Sequence, residues 1–493
     1  MKKILSIIIS LTFTIISYSQ NEMDVLQYSQ THFGGTARAI GLGGAFGALG
    51  GDLSTLSYNP AGIAIYRGCE FSITPTLFHN STDATYFDSK YSDSKYNFNF
   101  NNIGYVGTIK LNDFVNNTDD TKLGWKNINF AIGYNRLNNF NKNILIEGVN
   151  NNSSIVDYFL ENVDSSTVNK YIQDDVIYAD LIYADSLTAS GYTSDFEGSS
   201  HGQTQSKSIR TRGAMGEYFI SLGANYGHVL YIGGTIGIQK VEFEHNSNHQ
   251  ETDPSDKIPA FVSMNLYEHW ETWGTGCNFK FGMIYRPIDW IRIGGAIHTP
   301  TFFYLEDDYS EELEATIDYT DGGLYTSQYK TSGYFKYEIT TPYKAIGSIA
   351  FIYKKIGLIS VDYEFIDYSI ARLSSDDYSN SEINETISDV NKRISSRYTS
   401  VGNIRVGAEL KNGPFRIRGG YAIYNSPYSS SEENKSSTYY TYSGGFGISD
   451  KSFYFDIAYV YSTSSKKYFL YELEQADLES QTSKILATFG IRF

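Results

Sequence analysis

The sequence contains few of the residues that cross-link or stiffen a chain. Its 493 residues include two cysteines, nine prolines and four tryptophans, and the net charge is −16. Two cysteines, Cys69 and Cys277, exclude a disulfide framework, although a single bridge between them stays open. The acidic balance argues against a nucleic acid partner, because a phosphate-binding surface needs a basic excess.

Long apolar runs are also scarce. The one such run, 4–16, follows two lysines and precedes small residues, an arrangement typical of a secretory signal peptide. We therefore predict a signal peptide at 1–19, with cleavage near Gln20. Elsewhere no stretch reaches the roughly 18 apolar residues of a spanning helix, which excludes an ordinary helical membrane protein. The exported chain is then expected to be either soluble or a β-barrel.

Aromatic residues, by contrast, are abundant and lie in alternating patterns. The chain has 43 tyrosines and 30 phenylalanines, which suit strands with aromatic girdles at two membrane interfaces, although composition alone leaves a soluble β-sandwich open. At the C-terminus two sets of residues alternate: Ile485, Ala487, Phe489, Ile491 and Phe493 against Lys484, Thr488, Gly490 and Arg492. Because successive side chains of a strand point to opposite faces, this pattern predicts a wall with lipid outside and water inside.

Similar alternation along the chain predicts an all-β fold, a fourteen-stranded antiparallel transmembrane β-barrel over 68–493. The predicted strands lie near 70–79, 98–111, 127–148, 214–227, 229–244, 273–286, 290–304, 334–354, 356–371, 399–411, 414–425, 439–450, 452–464 and 482–493. Short and long connections alternate, as in transmembrane barrels with long outer loops. The predicted long loops are 80–97, 149–213, 245–272, 305–333, 372–398, 426–438 and 465–481, of which 149–213 is the largest.

The last residue, Phe493, resembles the terminal aromatic of the assembly signal of bacterial outer-membrane proteins. We expect the barrel-assembly machinery to be a partner of the strand that it ends. An antiparallel barrel closes by pairing its last strand with its first, so we also expect this strand to pair with the one near Cys69.

Residues 20–67 do not fit a strand. Glycine and small apolar residues alternate in the centre of the segment, and Asp52 is a candidate N-cap for a short helix that Asn59-Pro60 ends. We predict a hatch, or plug, inside the lumen, with a flexible periplasmic tail as the alternative. The glycine pattern around Gly43 is not a dinucleotide fingerprint, because no strand precedes it.

Two pieces of this segment, 36–46 and 52–62, resemble the N-terminal hatch of FadL-type outer-membrane transporters for long-chain fatty acids and other hydrophobic compounds. The segment 285–294, with His298-Thr299-Pro300 after it, is similar to a wall hairpin of that family. The resemblance covers essentially the whole mature chain. It implies a protein of the bacterial outer membrane that is not an enzyme.

The resemblance also implies a mechanism, which is passive, gated uptake. Outer loops capture a hydrophobic ligand, which enters an apolar pocket in the barrel and leaves sideways through the wall as the hatch moves. In the family the Asn-Pro-Ala turn of the hatch lies beside an inward kink of a strand. Carried over, this places Asn59, Pro60, Ala61 and Gly62 at the gate, and the kink within 127–148.

The segment 258–270 is unusually apolar for an outer loop. It offers Phe261, Val262, Met264, Leu266 and Trp270 as possible ligand-capture residues, because exposed apolar surface marks interaction sites. The alternative is that the segment is the extended top of the strand that ends at Arg286. Helix-like stretches in 149–213 either cap the barrel mouth or form a self-packed loop domain.

Ten charged residues are predicted to face the lumen: Arg286, Arg292, Asp362, Glu364, Arg405, Glu409, Arg416, Arg418, Asp456 and Arg492. Arginine pairs bidentately with carboxylates, but mutual pairing and anchoring of the plug are favoured over a ligand role. His245 and His249 are predicted to lie in a polar loop, which is favoured over a metal or haem site. We predict no metal, no cofactor and no catalytic site, since no nucleophile elbow or Ser-His-acid set is found.

The expected partners are a hydrophobic small molecule and outer-membrane lipid, and we expect a monomer. The alternative function is a scaffold or shuttle barrel of the same family that serves protein secretion or surface attachment. A glycine-rich hatch favours transport, whereas a large outer-loop domain would suit a protein partner.

Overall fold

The computed structural model describes residues 21–32, 34–111, 124–163, 175–188, 191–319, 322–354, 356–375, 381–471 and 474–493. The predicted signal peptide lies outside these ranges. The strands are β1 (Glu70–Tyr86), β2 (Ser89–Lys110), β3 (Trp125–Asn139), β4 (Lys142–Asn150), β5 (Tyr183–Ala184), β6 (Tyr192–Thr193), β7 (Gln203–Tyr226), β8 (Leu230–Thr252), β9 (Phe261–Ile288), β10 (Ile291–His298), β11 (Phe302–Tyr319), β12 (Gly323–Thr340), β13 (Lys344–Tyr353), β14 (Gly357–Asp367), β15 (Arg372–Ser374), β16 (Ser400–Asn412), β17 (Phe415–Tyr424), β18 (Tyr439–Ser449), β19 (Phe453–Tyr471) and β20 (Glu474–Arg492).

The described helices are few and short. The α-helices are α1 (Glu22–Ser29), α2 (Ala37–Gly41), α3 (Ile155–Glu161) and α4 (Ser381–Arg397), and the 3-10 helices are Leu53–Ser57, Pro60–Ile65, Tyr368–Ile370 and Glu433–Ser436. In the part of the chain that the structure describes, no helix combines the length and apolar character needed to cross a bilayer.

The large sheet closes into a 14-strand antiparallel barrel, as the sequence predicts. Several wall strands are interrupted, so that β3 and β4, β10 and β11, and β12 and β13 each form one strand of the barrel. Closure occurs where β1 pairs with β20, and Cys69 and Phe493 exchange backbone hydrogen bonds of 2.9 and 3.0 Å. The pairing expected for Phe493 is thereby confirmed. Cys69 and Cys277 are both free thiols.

The two faces of the wall have opposite character, and β9 illustrates this. Trp273, Phe281 and Tyr285 are exposed on its outer face, at 37%, 50% and 44%, whereas Asn278 and Lys280 on its inner face are buried. The apolar outer stretch covers 12 residue steps, about 40 Å along the strand and about 28 Å in height if the strand tilts by roughly 45°. That height matches the hydrocarbon core that a transmembrane barrel crosses.

Several strands continue far beyond this apolar belt at the long-loop end. The segments 80–97, 245–272, 305–333 and 465–481 were predicted as loops, but they lie mostly in β1–β2, β8–β9, β11–β12 and β19–β20. The prediction was wrong because the outward face of these extensions is largely polar, so the alternation typical of the membrane-facing belt ends while the hydrogen-bonded ladder continues. Their other face carries apolar residues such as Leu313, Ala315 and Ile317, which pack beneath the lid.

The hatch, residues 34–67, fills the lumen at the end with short turns. Thr36 caps α2, and its hydroxyl donates to the Asp52 carboxylate at 2.8 Å. Asp52 in turn caps the 3-10 helix Leu53–Ser57, at the position predicted from the sequence. The hatch packs against the wall where strand glycines leave room, as at Gly407 and Gly420 beside Leu42 and Gly43.

Two more layers close the lumen above the hatch. In the first, α1 packs on α4, and Glu22 pairs with Arg393 at 3.1 Å and with Arg397 at 2.7 Å. The second is the lid, the described residues of 151–202, whose α3 packs into the outer mouth. The cap of α3 includes Glu251 of β8, which accepts hydrogen bonds from Ser154 Oγ at 2.5 Å and Ile155 N at 2.9 Å.

Candidate functional site

A small pocket lies in the lumen between the hatch and α1, at the height where several wall strands are interrupted. The hatch supplies its floor through Ser57 and Tyr58, and the end of α1 supplies Tyr28 and Ser29. The other lining residues are Thr31, His32, Gly34, Leu137, Gln239, Asn278, Lys280, His298, Thr299, Thr301, Thr341, Pro342, Lys344, Glu364 and Arg405. The pocket therefore touches the plug, the N-terminal segment and the wall at once.

Charged side chains of the pocket are mostly paired with one another. Lys280 Nζ lies 2.6 Å from Oε1 of Glu217, and Arg405 Nη1 lies 3.2 Å from Oε2 of Glu364. Lys344 donates to the hydroxyl of Thr31, and within the described residues no carboxylate lies within ion-pair distance of its Nζ. The pocket lining is therefore polar, and among the described residues the cation Lys344 has no carboxylate in contact with it.

The pocket is small as the structure stands. Its volume is about 50 Å³, room for about four water molecules. An alkyl chain or an aromatic ring does not fit without displacement of lining groups. The hatch and α1 are the two linings that are not part of the hydrogen-bonded wall, so they are the parts whose movement would enlarge it.

His32 connects the N-terminal segment to the wall. Its Nδ1 lies 3.3 Å from Asn138 Oδ1, and its ring packs on Tyr424 and Tyr439. Burial, together with the charge of Lys484, lowers the pKa of His32 to about 4. The ring is therefore neutral at pH 7.

The predicted gate residues form a hydrogen-bonded turn at the edge of the hatch. Asn59 Nδ2 donates to the carbonyl oxygens of Gly47, at 2.6 Å, and Met283, at 3.1 Å. Asn59 Oδ1 accepts from Ala61 N at 3.1 Å, and the 3-10 helix begins at Pro60. Gly51 N donates to Gly62 O at 2.9 Å, which ties the turn to the rest of the hatch.

The turn does not lie beside the interruption in 127–148. It packs on Gly233 of β8 and Gly282 of β9, where a side-chain methyl would overlap Pro60 and Asn59. The interruption in the predicted strand falls between β3 and β4, where it is contacted by Gln30 and Gly34. The expected contact between the Asn-Pro-Ala turn and this kink is therefore wrong, because the glycines that admit the turn lie on other strands.

The predicted capture residues lie in β9, as its extended top, and most are covered. Phe261, Met264 and Leu266 are buried in the apolar core beneath the lid. Val262 is exposed on the outer face at 36%, and Trp270 stacks on His245 at 3.6 Å between ring centroids. These five residues do not form one open groove in this structure, because α3 and its neighbours occupy the face that three of them share.

The structure also settles where the two histidines lie. His245 and His249 are on β8, not in a loop. Four residues of strand separate them by about 13 Å, so they do not share one ion. Nε2 of His249 lies 2.9 Å from the Glu251 carboxylate, within the group that caps α3.

The charged residues of the lumen pair with one another and anchor the hatch. This is the arrangement that the sequence analysis favoured over a ligand role. Arg418 contacts Glu409 at 2.6 Å and Asp456 at 2.5 Å, and Glu409 also pairs with Arg38 of the hatch. Asp362 accepts hydrogen bonds of 3.0 Å from Phe46 N and Gly47 N. Arg292 donates to Leu49 O. Arg286 and Arg416 lie at the short turns, where they contact Asp289 and Pro414 O.

Two prolines mark interruptions of the wall beside the pocket that the sequence prediction treated as continuous strand. Pro300 and Pro342 lie inside the predicted strands 290–304 and 334–354, where the wall is interrupted between β10 and β11 and between β12 and β13. Proline donates no ladder hydrogen bond and is confined to edges or irregularities of a sheet. That rule is the signal that would have located the interruption.

Comparison with known proteins identifies the fold. No protein-family model matches the sequence, and no curated protein matches it. A Pseudomonas aeruginosa FadL homologue superposes with a TM-score of 0.52 at 13% identity, over 93% of this chain and 98% of that chain. The Pseudomonas putida toluene transporter TodX gives 0.52 at 12%, over 93% and 98%, and the Ralstonia pickettii toluene transporter TbuX gives 0.50 at 12%, over 94% and 99%. At such identities the likeness establishes the fold, and the fold implied by the resemblance is confirmed.

Proposed function

We propose that the protein is an outer-membrane channel through which small hydrophobic or amphipathic molecules pass into the cell by gated diffusion. The observation that carries the proposal is the lumen pocket, which lies between the hatch and an interruption of the wall. The shared fold supports it, since similar structures include two toluene transporters and a FadL homologue.

The route is proposed to be gated because the lumen is closed at rest. A pocket of about 50 Å³ holds no hydrocarbon ligand, so transport requires the hatch or α1 to move. The hatch takes no part in the wall ladders and can therefore move as a unit, but its attachment combines apolar contacts with hydrogen bonds, such as those of Asp362 and Asn59, so the closed state is favoured. Each such bond contributes about 1 kcal/mol net, or somewhat more to a charged group.

Lateral release into lipid is the step that the chemistry of the cargo favours. An alkyl chain that passes from a wet lumen into lipid gains roughly 0.8 kcal/mol of transfer free energy per methylene. The polar inner face of the wall, seen at Asn278 and Lys280, offers no such gain along the channel. A path through the wall brings the chain into the apolar surroundings of the bilayer.

The test is uptake into vesicles that contain the purified full chain. Labelled oleate and labelled toluene are the probes, with labelled sucrose as the polar control. We expect the protein to speed the entry of at least one apolar probe and to exclude sucrose. A variant that lacks 21–67 should keep a folded barrel but lose controlled uptake of the apolar probe. Equal entry of both apolar probes into protein-free and protein-containing vesicles would refute the proposed function.

A second function, attachment or secretion of a protein, is favoured by the closed outer mouth. The lid buries Phe159, Phe196 and Phe261 in one core with the wall, so the outer surface is a substantial structure rather than an open funnel. If this function holds, loss of the chain removes a protein from the cell surface while uptake of the apolar probes is unchanged. Quantitative surface proteomics of cells with and without the gene distinguishes the two.

A further inference from the structure

The outer half of the lumen contains three lysines on one side of the wall. Lys466 of β19 and Lys484 of β20 lie at inward positions of their strands, in phase with buried residues. Lys142 begins β4 and reaches the same side, because its Nζ donates to Ser480 Oγ of β20 at 2.8 Å. We call Lys142, Lys466 and Lys484 the lysine strip.

The lysine strip follows the wall from beneath the lid towards the pocket. Ser480, which contacts Lys142, precedes Lys484 on β20 by about 13 Å of strand. Lys484 lies opposite Phe78 of β1 in the ladder, and its Nζ is 5.9 Å from the centroid of that ring. The next group towards the pocket is His32, on which the charge of Lys484 acts.

The chain does not supply carboxylates to the lysine strip. Across the ranges that the structure describes, no carboxylate lies within ion-pair distance of its three ammonium groups. Asp477 and Glu479 of β20 are exposed on the outer face. Glu268 is carried by β9, across the barrel from β19 and β20, and is paired with Lys207 at 2.6 Å. The positive charge of the strip is therefore uncompensated by the described residues, although the whole chain carries −16.

The charges that act on the lysine strip are themselves positive. Burial, together with the charge of Lys466, lowers the pKa of Lys142 to about 7. Arg136 acts on Lys484, and the buried Nε of Arg136 has no hydrogen-bond partner among the described residues. Cations that are held together away from water destabilise one another. An anion placed between them offsets both the repulsion and the loss of hydration.

The outer end of the lysine strip is bordered by hydroxyl and amide groups. Thr82 Oγ1 lies 3.3 Å from Ser480 Oγ, and Asn80 Nδ2 donates to Thr482 Oγ1 at 3.1 Å. Lys466 is exposed although it faces the lumen, so the space beside it is not filled by protein. Lysine binds phosphate as a point charge, and hydroxyl groups supply further donors. This lining suits a hydrated anion better than an acyl chain.

From this arrangement we propose that the lysine strip is a binding site for a water-soluble small molecule that carries phosphate groups. Lys142 and Lys466, with the Ser480 hydroxyl between the strands, hold one phosphate. Lys484 faces the part of the molecule that extends towards the pocket. Binding there requires no passage of an apolar molecule, so the inference goes beyond the proposed function and holds or fails independently of it.

Calorimetric titration of the purified full chain with inorganic pyrophosphate tests the proposal. We expect saturable binding of pyrophosphate and no binding of glucose, the neutral control. Lys142→Gln and Lys466→Gln should each weaken binding about tenfold to a hundredfold, the loss expected for one hydrogen bond to a charged group. Lys467→Gln is the matched control, because Lys467 is the next residue on β19 and pairs with Glu433 at 2.8 Å. Its affinity for pyrophosphate should equal that of the native chain.

The outcomes separate this site from the proposed uptake. Absence of saturable binding to the native chain, or equal affinities in Lys466→Gln and Lys467→Gln, overturns the proposal. If oleate and not pyrophosphate binds with a dependence on Lys142 and Lys466, the strip serves the hydrophobic cargo and the proposal is wrong. Lysine-dependent binding of pyrophosphate in a chain that does not speed the entry of apolar probes supports the site and contradicts the proposed function alone.

A measurement on the native chain guards against variants that fail to fold. A small amine-acetylating reagent modifies accessible lysines, and mass spectrometry reads the extent of modification at each one. At a pyrophosphate concentration about ten times Kd, acetylation of Lys466 should slow about tenfold, in line with the fraction of unoccupied site. Acetylation of Lys467 should not change. Equal acetylation of Lys466 with and without pyrophosphate contradicts the proposal.

Discussion

The fit between Gly282 and the Asn59-Pro60 turn predicts that one methyl group will loosen the hatch. A Cβ at Gly282 overlaps Asn59 Oδ1 and lies 3.0 Å from Pro60 Cδ. The backbone of Gly282 is not in the left-handed region, so the effect of Gly282→Ala is steric. Because Asn59 is held between Gly47 O and Met283 O, it has no free space into which to retreat.

The size of the effect follows from these contacts. Overpacking in a well-packed site costs about 1–3 kcal/mol, and loss of the bond to Met283 O adds about 1 kcal/mol. Taking the lower end of the sum, about 2 kcal/mol, the population with an undocked hatch should rise at least about thirtyfold. Amide hydrogen exchange of the hatch, in the regime where it reports the opening equilibrium, should accelerate by the same factor.

The matched control is Gly347→Ala in β13, where a Cβ meets nothing within 4 Å. It changes the same residue type in a wall strand and should leave hatch exchange unaltered. In a double-mutant cycle, Gly282→Ala should cost much less when Asn59 is already alanine, since the overlapping oxygen is gone. Equal exchange in the two glycine variants, or full additivity in the cycle, would show that the turn is not seated on Gly282.

Three further predictions concern the ends and the N-terminal segment of the molecule. Phe493→Ala should lower the yield of inserted, heat-modifiable barrel, and the barrels that do form should bind ligand normally. The control is Phe453→Ala, which changes another phenylalanine exposed on the outside and should insert normally. Glu251→Ala removes the carboxylate that caps α3, so protease cleavage within the lid should rise by about tenfold to a hundredfold, while the exposed Glu197→Ala leaves it unchanged. Burial lowers the pKa of His32 from 6.5 to about 4, so the undocked state binds the proton more tightly than the docked state does. Acid should therefore favour undocking, and the mobility of a nitroxide on α1 should increase as the pH falls from 6.5 towards 4. This increase should be absent in His32→Asn.

The barrel itself was predictable because its outer face meets a uniform apolar solvent. Every strand that crosses the belt must alternate, as Phe489 and Ile491 do with Thr488 and Gly490, so a period of two marks each crossing. The cap at Asp52 was equally local, because its side chain accepts from the backbone two residues on; Asn59-Pro60 was predicted to end that helix, and Asn59 also caps the next one. Features fixed by short-range rules or by lipid contact could therefore be predicted from the sequence.

The outer half of the molecule could not be predicted in this way because it meets water on one side and protein on the other. The β8–β9 extension has no apolar face that repeats every second residue, and its partners in the lid are far away in sequence, as Phe196 is from Phe261. The helix α4 was missed for a related reason. Its apolar residues Ile387, Val390 and Ile394 have helical spacing, but the segment is so polar overall that it resembles a loop.

The layered filling of the lumen gives a reason for the sideways route that does not depend on the cargo. Movement along the barrel axis has to pass the lid, the α1–α4 pair and the hatch, and each is held by buried groups: Glu251 to α3, Glu22 to Arg397, and Asp362 to Gly47. If each layer opens independently at a cost of a few kcal/mol, the probability that all three layers are open at the same time is very small. From the pocket inward the axis is closed by the hatch, which a path through the wall avoids. Hydrogen exchange that shows the hatch still protected during rapid uptake of oleate would therefore establish the sideways route.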